Sequence, residues 1–253
     1  MFLLSTPLEQ FQIIPVCAFR LGALDLSISN ATIIICLGIF FFALLFSMLC
    51  GPDSNLRILP SKWQYIIEML YETVLGMLLD NVGPRGQQYF PFIFTLFLFL
   101  LIANVIGLVP YSFTITSHLI VTFALALATF IGINIILVRE HGFHALSLFL
   151  PAGSSLALAF ILIPIELVSY LVRPVSLGVR LFANMMAGHT LLKVIAGFSW
   201  SMLLGSGLIF VAHVVPLFIL VILMGLETMV ACIQAYVFAV LSCIYLNDAL
   251  NLH

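Results

Sequence analysis

Arg180 stands deep in an apolar stretch running from about Phe143 to Leu246, in the context L-G-V-R-L-F-A-N-M-M-A-G-H. Holding one charge at mid-bilayer depth costs a helix about 2.5–3.5 kcal/mol on insertion scales, so such a residue reads first as part of an ion or proton pathway. Only Arg173 and Lys193 share the stretch as basic residues, one on each side of Arg180. Glu166, Arg173 and Arg180 are seven apart; Ser169, Ser176 and Asn184 fill in at three or four, and Gly188-His189 extend the line. Seven residues are nearly two helical turns, so these groups drift only ~20° per heptad and share one face. Lipid cannot satisfy a polar stripe, which must face protein, water or a partner's polar group.

The last apolar segment carries a second pair, Glu227 and Gln234, also seven apart, beside the small residues Gly225, Ala231 and Ala235. Small residues permit close helix approach. A fold-back between residues 203 and 207 sets Arg180 level with Leu226–Gln234, making Glu227 and Gln234 its expected neighbours. The stripe also has a purely structural reading, as ion pairs and hydrogen bonds joining two helices, and Glu166, Ser169 and Arg173 fit it as well as they fit transport. Arg180 with Asn184, His189, Glu227 and Gln234 exceeds it, since two titratable groups near one fixed charge are more than packing requires. The chemistry these residues support is proton transfer. His213 either lines an aqueous cavity or satisfies a packing contact, and Asp248 is either a solvated helix end or the mouth of a pathway. His118 is expected at the interface, His141 and His144 in water, and Lys193 reaching toward the outer surface. No nucleophile elbow, phosphate loop, H-E-x-x-H motif or dinucleotide fingerprint occurs, and no cofactor or metal is expected.

The elements that must hold these residues follow from composition. Hydrophobic residues make up 64% of the 253 and charged ones 7%, more apolar surface than a soluble domain of this size can cover. The chain therefore reads as an all-α membrane protein with about five membrane-embedded helices and one amphipathic surface helix. A net charge of −2 without a basic patch argues against nucleic acid. The five cysteines form no C-x-x-C pair. The N-terminus lacks the basic region and long apolar run of a secretory signal.

Residues 1–27, with Pro7, Pro15, Arg20 and Asp25, read as an arm outside the bilayer, and 28–50 as a first span ended by Gly51-Pro52-Asp53. Residues 60–82 place Trp63, Ile66, Ile67, Leu70, Val74, Met77 and Leu78 on one face and Lys62, Gln64, Glu68 and Glu72 on the other. Ser61 with Gln64 matches a capping box, and the helix suits a membrane surface or a partner. Two spans within 89–138, Tyr89–Pro110 and Thr114–Val138, form a hairpin around a turn at Val109–Ser112. Residues 145–250 form a long hairpin whose two arms, each about 40 residues, reach about 60 Å against a ~30 Å core. Each arm must tilt, bend at Pro164, Pro174 or Pro216, or break. With five crossings, the loops holding Arg57, Lys62, Arg85 and Arg139 fall on one side and the loops near Tyr111 and Gly205, free of Lys and Arg, on the other. That pattern puts the N-terminus outside and the C-terminus inside, with Arg20 as the exception.

The segment V-S-L-G-V-R-L-F-A-N-M-M-A-G-H at 175–189, I-Q-A-Y-V-F at 233–238 and the ending Y-L-N-D-A-L-N-L-H resemble the a subunit of F-type ATP synthases. The early P-L-E-Q-F and the V-P-Y-S-F at 109–113 fit the same family, in the same order. The resemblance implies a steeply tilted hairpin curving along a rotating ring of c subunits, within a complex that also supplies peripheral-stalk and other membrane subunits. It implies that Arg180 faces each ring carboxylate in turn and separates two offset half-channels. His189 and Glu227, with Asn184 and Gln234, would serve the inlet; Glu166 and Asp248 would serve the outlet, with Arg173, His213 and Ser176 as secondary candidates. The chain would be a non-catalytic subunit. Many bacterial members carry Glu where His189 stands and His where Glu227 stands; the exchange resembles mitochondrial members, so the mitochondrial inner membrane is expected first and a bacterial plasma membrane second. An independent proton channel or secondary transporter is the alternative, weakened because the first half has no counterpart to the Arg180 stripe.

Overall fold

A computed structural model describes residues 9, 11–21, 24–25, 27–50, 62–109, 113–142, 156–203, 205 and 211–251. Arg57, Ser61 and His144 lie outside them, as does the helix-stop signal at 51–53. Four short strands come first: β1 (Pro15–Cys17) pairs antiparallel with β4 (Ile28–Ser29), and β2 (Arg20–Leu21) with β3 (Leu24–Asp25). Among the described residues, six α-helices follow: α1 (Asn30–Cys50), α2 (Lys62–Val82), α3 (Phe90–Gly107), α4 (Leu119–His141), α5 (Leu156–Leu203) and α6 (Val214–Leu250). The protein is an all-α membrane protein. Segments Pro84–Gly107, Leu119–His141, Phe160–Leu203 and Val214–Leu250 are long and apolar enough to cross a bilayer.

Local chemistry explains the boundaries. The Ser29 hydroxyl accepts from the Thr32 amide at 3.4 Å, capping α1. Gly83, at φ 77°, closes α2 in the left-handed region, where its amide donates to the Leu79 carbonyl at 3.0 Å before Pro84. α4 starts five residues later than expected, because Ile115–Ser117 form a 3-10 turn after Thr114. Along α2, Ile67, Val74, Met77 and Leu78 are buried and Glu68 and Glu72 exposed, as the periodicity predicts. Ile66 departs from it: the residue is exposed on the flank of the stripe.

α5 runs unbroken for 48 residues with Pro164 and Pro174 inside it, about 72 Å of helix. α6 has 37 residues, about 55 Å. Pro216 falls in the first turn of α6, where its missing N–H would have no partner in the helix.

The chain forms two compact units. One comprises Met1–Leu44, Phe99–His118 and Leu181–Ala235; the other comprises Leu45–Leu98, Leu119–Arg180 and Tyr236–His253. In the first, fully buried Asn104 of α3 donates to the Ala231 carbonyl of α6 at 3.1 Å. In the second, a Cβ at Gly178 of α5 would stand 3.1 Å from the Phe123 Cα and 3.2 Å from the Thr122 carbonyl of α4. Glycine permits that approach, as small residues do between membrane helices. Ile133 and Leu137 of α4 pack with Ala249 and Tyr245 of α6 in the same unit.

Candidate functional site

In the first unit, α5 and α6 meet at His189 and Glu227, with His189 Nδ1 3.4 Å from Glu227 Oε1. Glu227 is 6% exposed, and neither carboxyl oxygen has a hydrogen-bond partner among the described residues. A carboxyl group in apolar surroundings is held there either ionised by a charge partner or neutral by a proton, and the imidazole beside it can supply either. The approach depends on Gly188, because a Cβ there would lie 2.8 Å from Glu227 Oε1. Beside the pair, Asn184, Gly188, Leu191, Leu223, Glu227 and Val230 line a pocket of about 230 Å³. The pair joins the two arms, His189 from α5 and Glu227 from α6. Folding between 203 and 207 would have set His189 against residues 217–225, so Glu227 lies two residues beyond that range, about 3 Å of rise.

The other ring nitrogen of His189 is also engaged. Thr114 Oγ lies 2.9 Å from His189 Nε2 and 3.3 Å from the Gly107 carbonyl, to which it can donate. Phe11 presents its ring edge-on to the imidazole, centroids 6.4 Å apart. Thr114 is 2% exposed, and the Ser117 hydroxyl and amide both donate to its carbonyl, at 2.6 and 3.3 Å.

In the second unit, Arg173 Nη1 pairs with Asp248 Oδ2 at 3.0 Å. Its guanidinium lies over the Tyr170 and Tyr245 rings, 5.4 and 5.3 Å from their centroids. The Tyr170 hydroxyl donates to Asn134 Oδ1 at 2.5 Å. Asp248 is thus the partner of a fixed cation. Glu166 is half-buried and makes no hydrogen bond or ion pair among the described residues. Arg180 is exposed on α5, likewise without a hydrogen bond or ion pair among the described residues, and Ser176 is exposed as well. Gln234 is half-buried on α6, and His213 is half-buried in the turn that opens it.

A family profile described as ATP synthase A chain matches residues 31–247, which include both clusters apart from Phe11 and Asp248. The chain belongs to the ATP synthase subunit a family. It is 57% identical to the ATP synthase subunit a of Pylaiella littoralis, over 98% of this chain and 99% of that protein. Identity is 49% with subunit a of Chondrus crispus, over 100% and 98% of the two chains, and 44% with that of Paramagnetospirillum magneticum, over 99% and 100%. As a member of this family the chain is a proton-translocating subunit of the synthase membrane sector, which works with a c-ring.

Sequence periodicity passed over several residues that shape these clusters in this family member. Thr114, Asn134, Tyr170 and Tyr245 belong to no spaced stripe, and their roles arise from contacts between segments. Their only advance signal is polarity at the edge of, or inside, an apolar span.

Proposed function

We propose that Arg180 is the separator between two offset half-channels that carry protons to and from the carboxylates of a c-ring. The observation that carries this reading is an arginine exposed on a helix of a membrane-embedded segment and without an ion pair among the described residues. An unpaired cation at that depth is stable only against an acid or water, and an acid on another chain that passes and leaves meets that need. A cation there favours the deprotonated carboxylate as each one arrives, because an opposite charge stabilises the ionised form. It also repels a proton trying to pass directly from one half-channel to the other. Each charge crossing 100 mV releases about 2.3 kcal/mol, so such a leak would dissipate the drive for synthesis.

His189 and Glu227, with Asn184 and Gln234 beside them, form the inlet in this reading. Support comes from the buried carboxyl of Glu227, without a hydrogen-bond partner among the described residues, against the imidazole and from the pocket that Glu227 shares with Asn184. Glu166 and Asp248 line the outlet, with Asp248 oriented by Arg173; Ser176 and His213 are secondary members. Basic loops place the N-terminus outside and the C-terminus inside. The long α5 and α6 tilt as a hairpin along the ring, and peripheral-stalk subunits contact the other helices. The exchanged positions of His189 and Glu227, with relatives in algae and plants, favour the mitochondrial inner membrane.

Replacing Arg180 with Ala tests the reading. Proton-coupled ATP synthesis is lost while the complex still assembles, as seen on a native gel. Synthesis that survives in the assembled variant overturns it.

A further inference from the structure

We infer that Thr114 is a positioning residue that holds His189 in one tautomer, keeping Nε2 protonated so that Nδ1 is the nitrogen that exchanges a proton with Glu227. The inference rests on the reading of His189 and Glu227 as the inlet. Its observation is independent of that reading: a buried hydroxyl placed between a backbone carbonyl and the ring nitrogen remote from the acid.

A threonine hydroxyl has one proton and two lone pairs. Thr114 Oγ lies 3.3 Å from the Gly107 carbonyl, which can only accept, and 2.9 Å from His189 Nε2. Donating to the carbonyl leaves the hydroxyl an acceptor for an Nε2–H. Every donor is then used once: Nε2–H to Oγ, and Oγ–H to the Gly107 oxygen. The hydrogen bond at one ring nitrogen sets what the other can do. Nδ1, 3.4 Å from Glu227 Oε1, is left with a lone pair in the neutral ring and carries a proton in the imidazolium. A proton taken at Nδ1 and released to Oε1 returns the ring to its starting tautomer, and the Nε2 proton never has to leave.

The hydroxyl is built into place from several sides. Thr114 is 2% exposed and immediately precedes the 3-10 turn Ile115–Ser117. Ser117 grips its carbonyl through both hydroxyl and amide. The absence of a side chain at Gly107 makes room, since a Cβ there would lie 2.6 Å from Thr114 Cγ2 and 3.1 Å from Oγ. The groups recorded against the imidazole are Glu227 from α6, Thr114 from the turn and the uncharged Phe11 ring, so Glu227 is the one titratable neighbour among them.

The test uses the assembled synthase in liposomes, comparing Thr114→Val, Thr114→Ser and Glu227→Gln. Valine keeps the shape and removes the hydroxyl; an unsatisfied buried donor then lowers proton-driven ATP synthesis about tenfold, while serine recovers most of it. Solid-state NMR of ¹⁵N-histidine-labelled complex, with the His189 signal assigned by its loss in His189→Gln, shows the Nε2–H form in the parent and in Thr114→Ser and a mixed population in Thr114→Val. If Glu227→Gln stops synthesis while Thr114→Val retains the parental rate and tautomer, the role of Thr114 is refuted and the inlet stands. The same holds if Thr114→Ser fails as badly as valine with an unchanged tautomer, since the residue then acts only through packing. If synthesis survives Glu227→Gln, the inlet reading itself falls, and this inference with it.

Discussion

Substituting Gly188 with Ala separates the stability of the α5–α6 contact from its function. The added Cβ would stand 2.8 Å from Glu227 Oε1, 3.1 Å from Cδ and 3.4 Å from Cγ. Ordinary contact begins near the last of these, so the carboxyl must withdraw by about 0.6 Å, the difference between 3.4 and 2.8 Å. The obstructing atoms are the far end of a flexible side chain, and moving it off its preferred rotamer costs about 0.5–1.5 kcal/mol. Alanine in a helix interior regains about 1 kcal/mol over glycine. The two nearly cancel, so the variant complex should assemble and melt like the parent. Proton transfer is less forgiving, because a displacement near 1 Å can reduce rate about a hundredfold. Retreat of Oε1 from its 3.4 Å approach to His189 Nδ1 should lower proton-driven ATP synthesis by about ten- to a hundredfold. Gly197→Ala, where a Cβ meets nothing within 4 Å, is the control on the same helix and should leave synthesis within about twofold of the parent. The measurements are ATP synthesis and acid-driven dye quenching in liposomes, with native-gel yield for assembly. A Gly188→Ala complex that translocates protons at the parental rate would refute the reasoning, as would an equal loss in Gly197→Ala.

Arg173→Leu removes an ion pair and two ring contacts whose partners are partly exposed, at 26% for the arginine and 40% for Asp248, so screening keeps the loss to about 1–2 kcal/mol. A lower melting temperature of the detergent-solubilised complex measures it, and Arg173→Lys should recover part. His118 stacks on Phe113 at 4.8 Å outside the spans, and burial holds its pKa below the usual histidine value of 6.5. The unfolded segment therefore binds the proton first, so the stability this residue contributes is complete above pH 6.5 and is lost as pH falls below it toward the depressed folded value. Hydrogen exchange around residues 113–122, corrected for its intrinsic pH dependence, should quicken between pH 7 and 5 in the parent and change less in His118→Phe.

Much of the molecule is legible along the chain because its driving forces are local. A run of apolar residues long enough for a bilayer is a helix, since lipid offers the backbone no other way to satisfy its N–H and C=O groups. Gly83-Pro84 and the Gly142 after Arg139-Glu140-His141 end helices as expected, both at positive φ. The seven-residue spacing of Glu166, Arg173 and Arg180 needs only helical geometry to be seen as one face. Departures came where neighbouring segments compete with periodicity. Ile66 stays exposed at the margin of the α2 stripe, and the start of α4 yields to a turn in which Ser117 bonds to Thr114.

The sequence by itself determined that lipid is the solvent, where the helices lie, and which charged and titratable residues are too costly there to be incidental. It did not determine which of them meet. His189 faces Glu227, and Asp248 pairs with Arg173, because the two arms settle into a register set by side-chain packing and by close approaches such as that at Gly188. A shift of even a few residues in that register changes every partner while leaving each helix intact. Thr114 reaches His189 from a turn that no periodicity describes. Helical spacing is decided within a few residues of chain; the meeting of an acid, an imidazole and a hydroxyl from three segments is decided only when those segments pack.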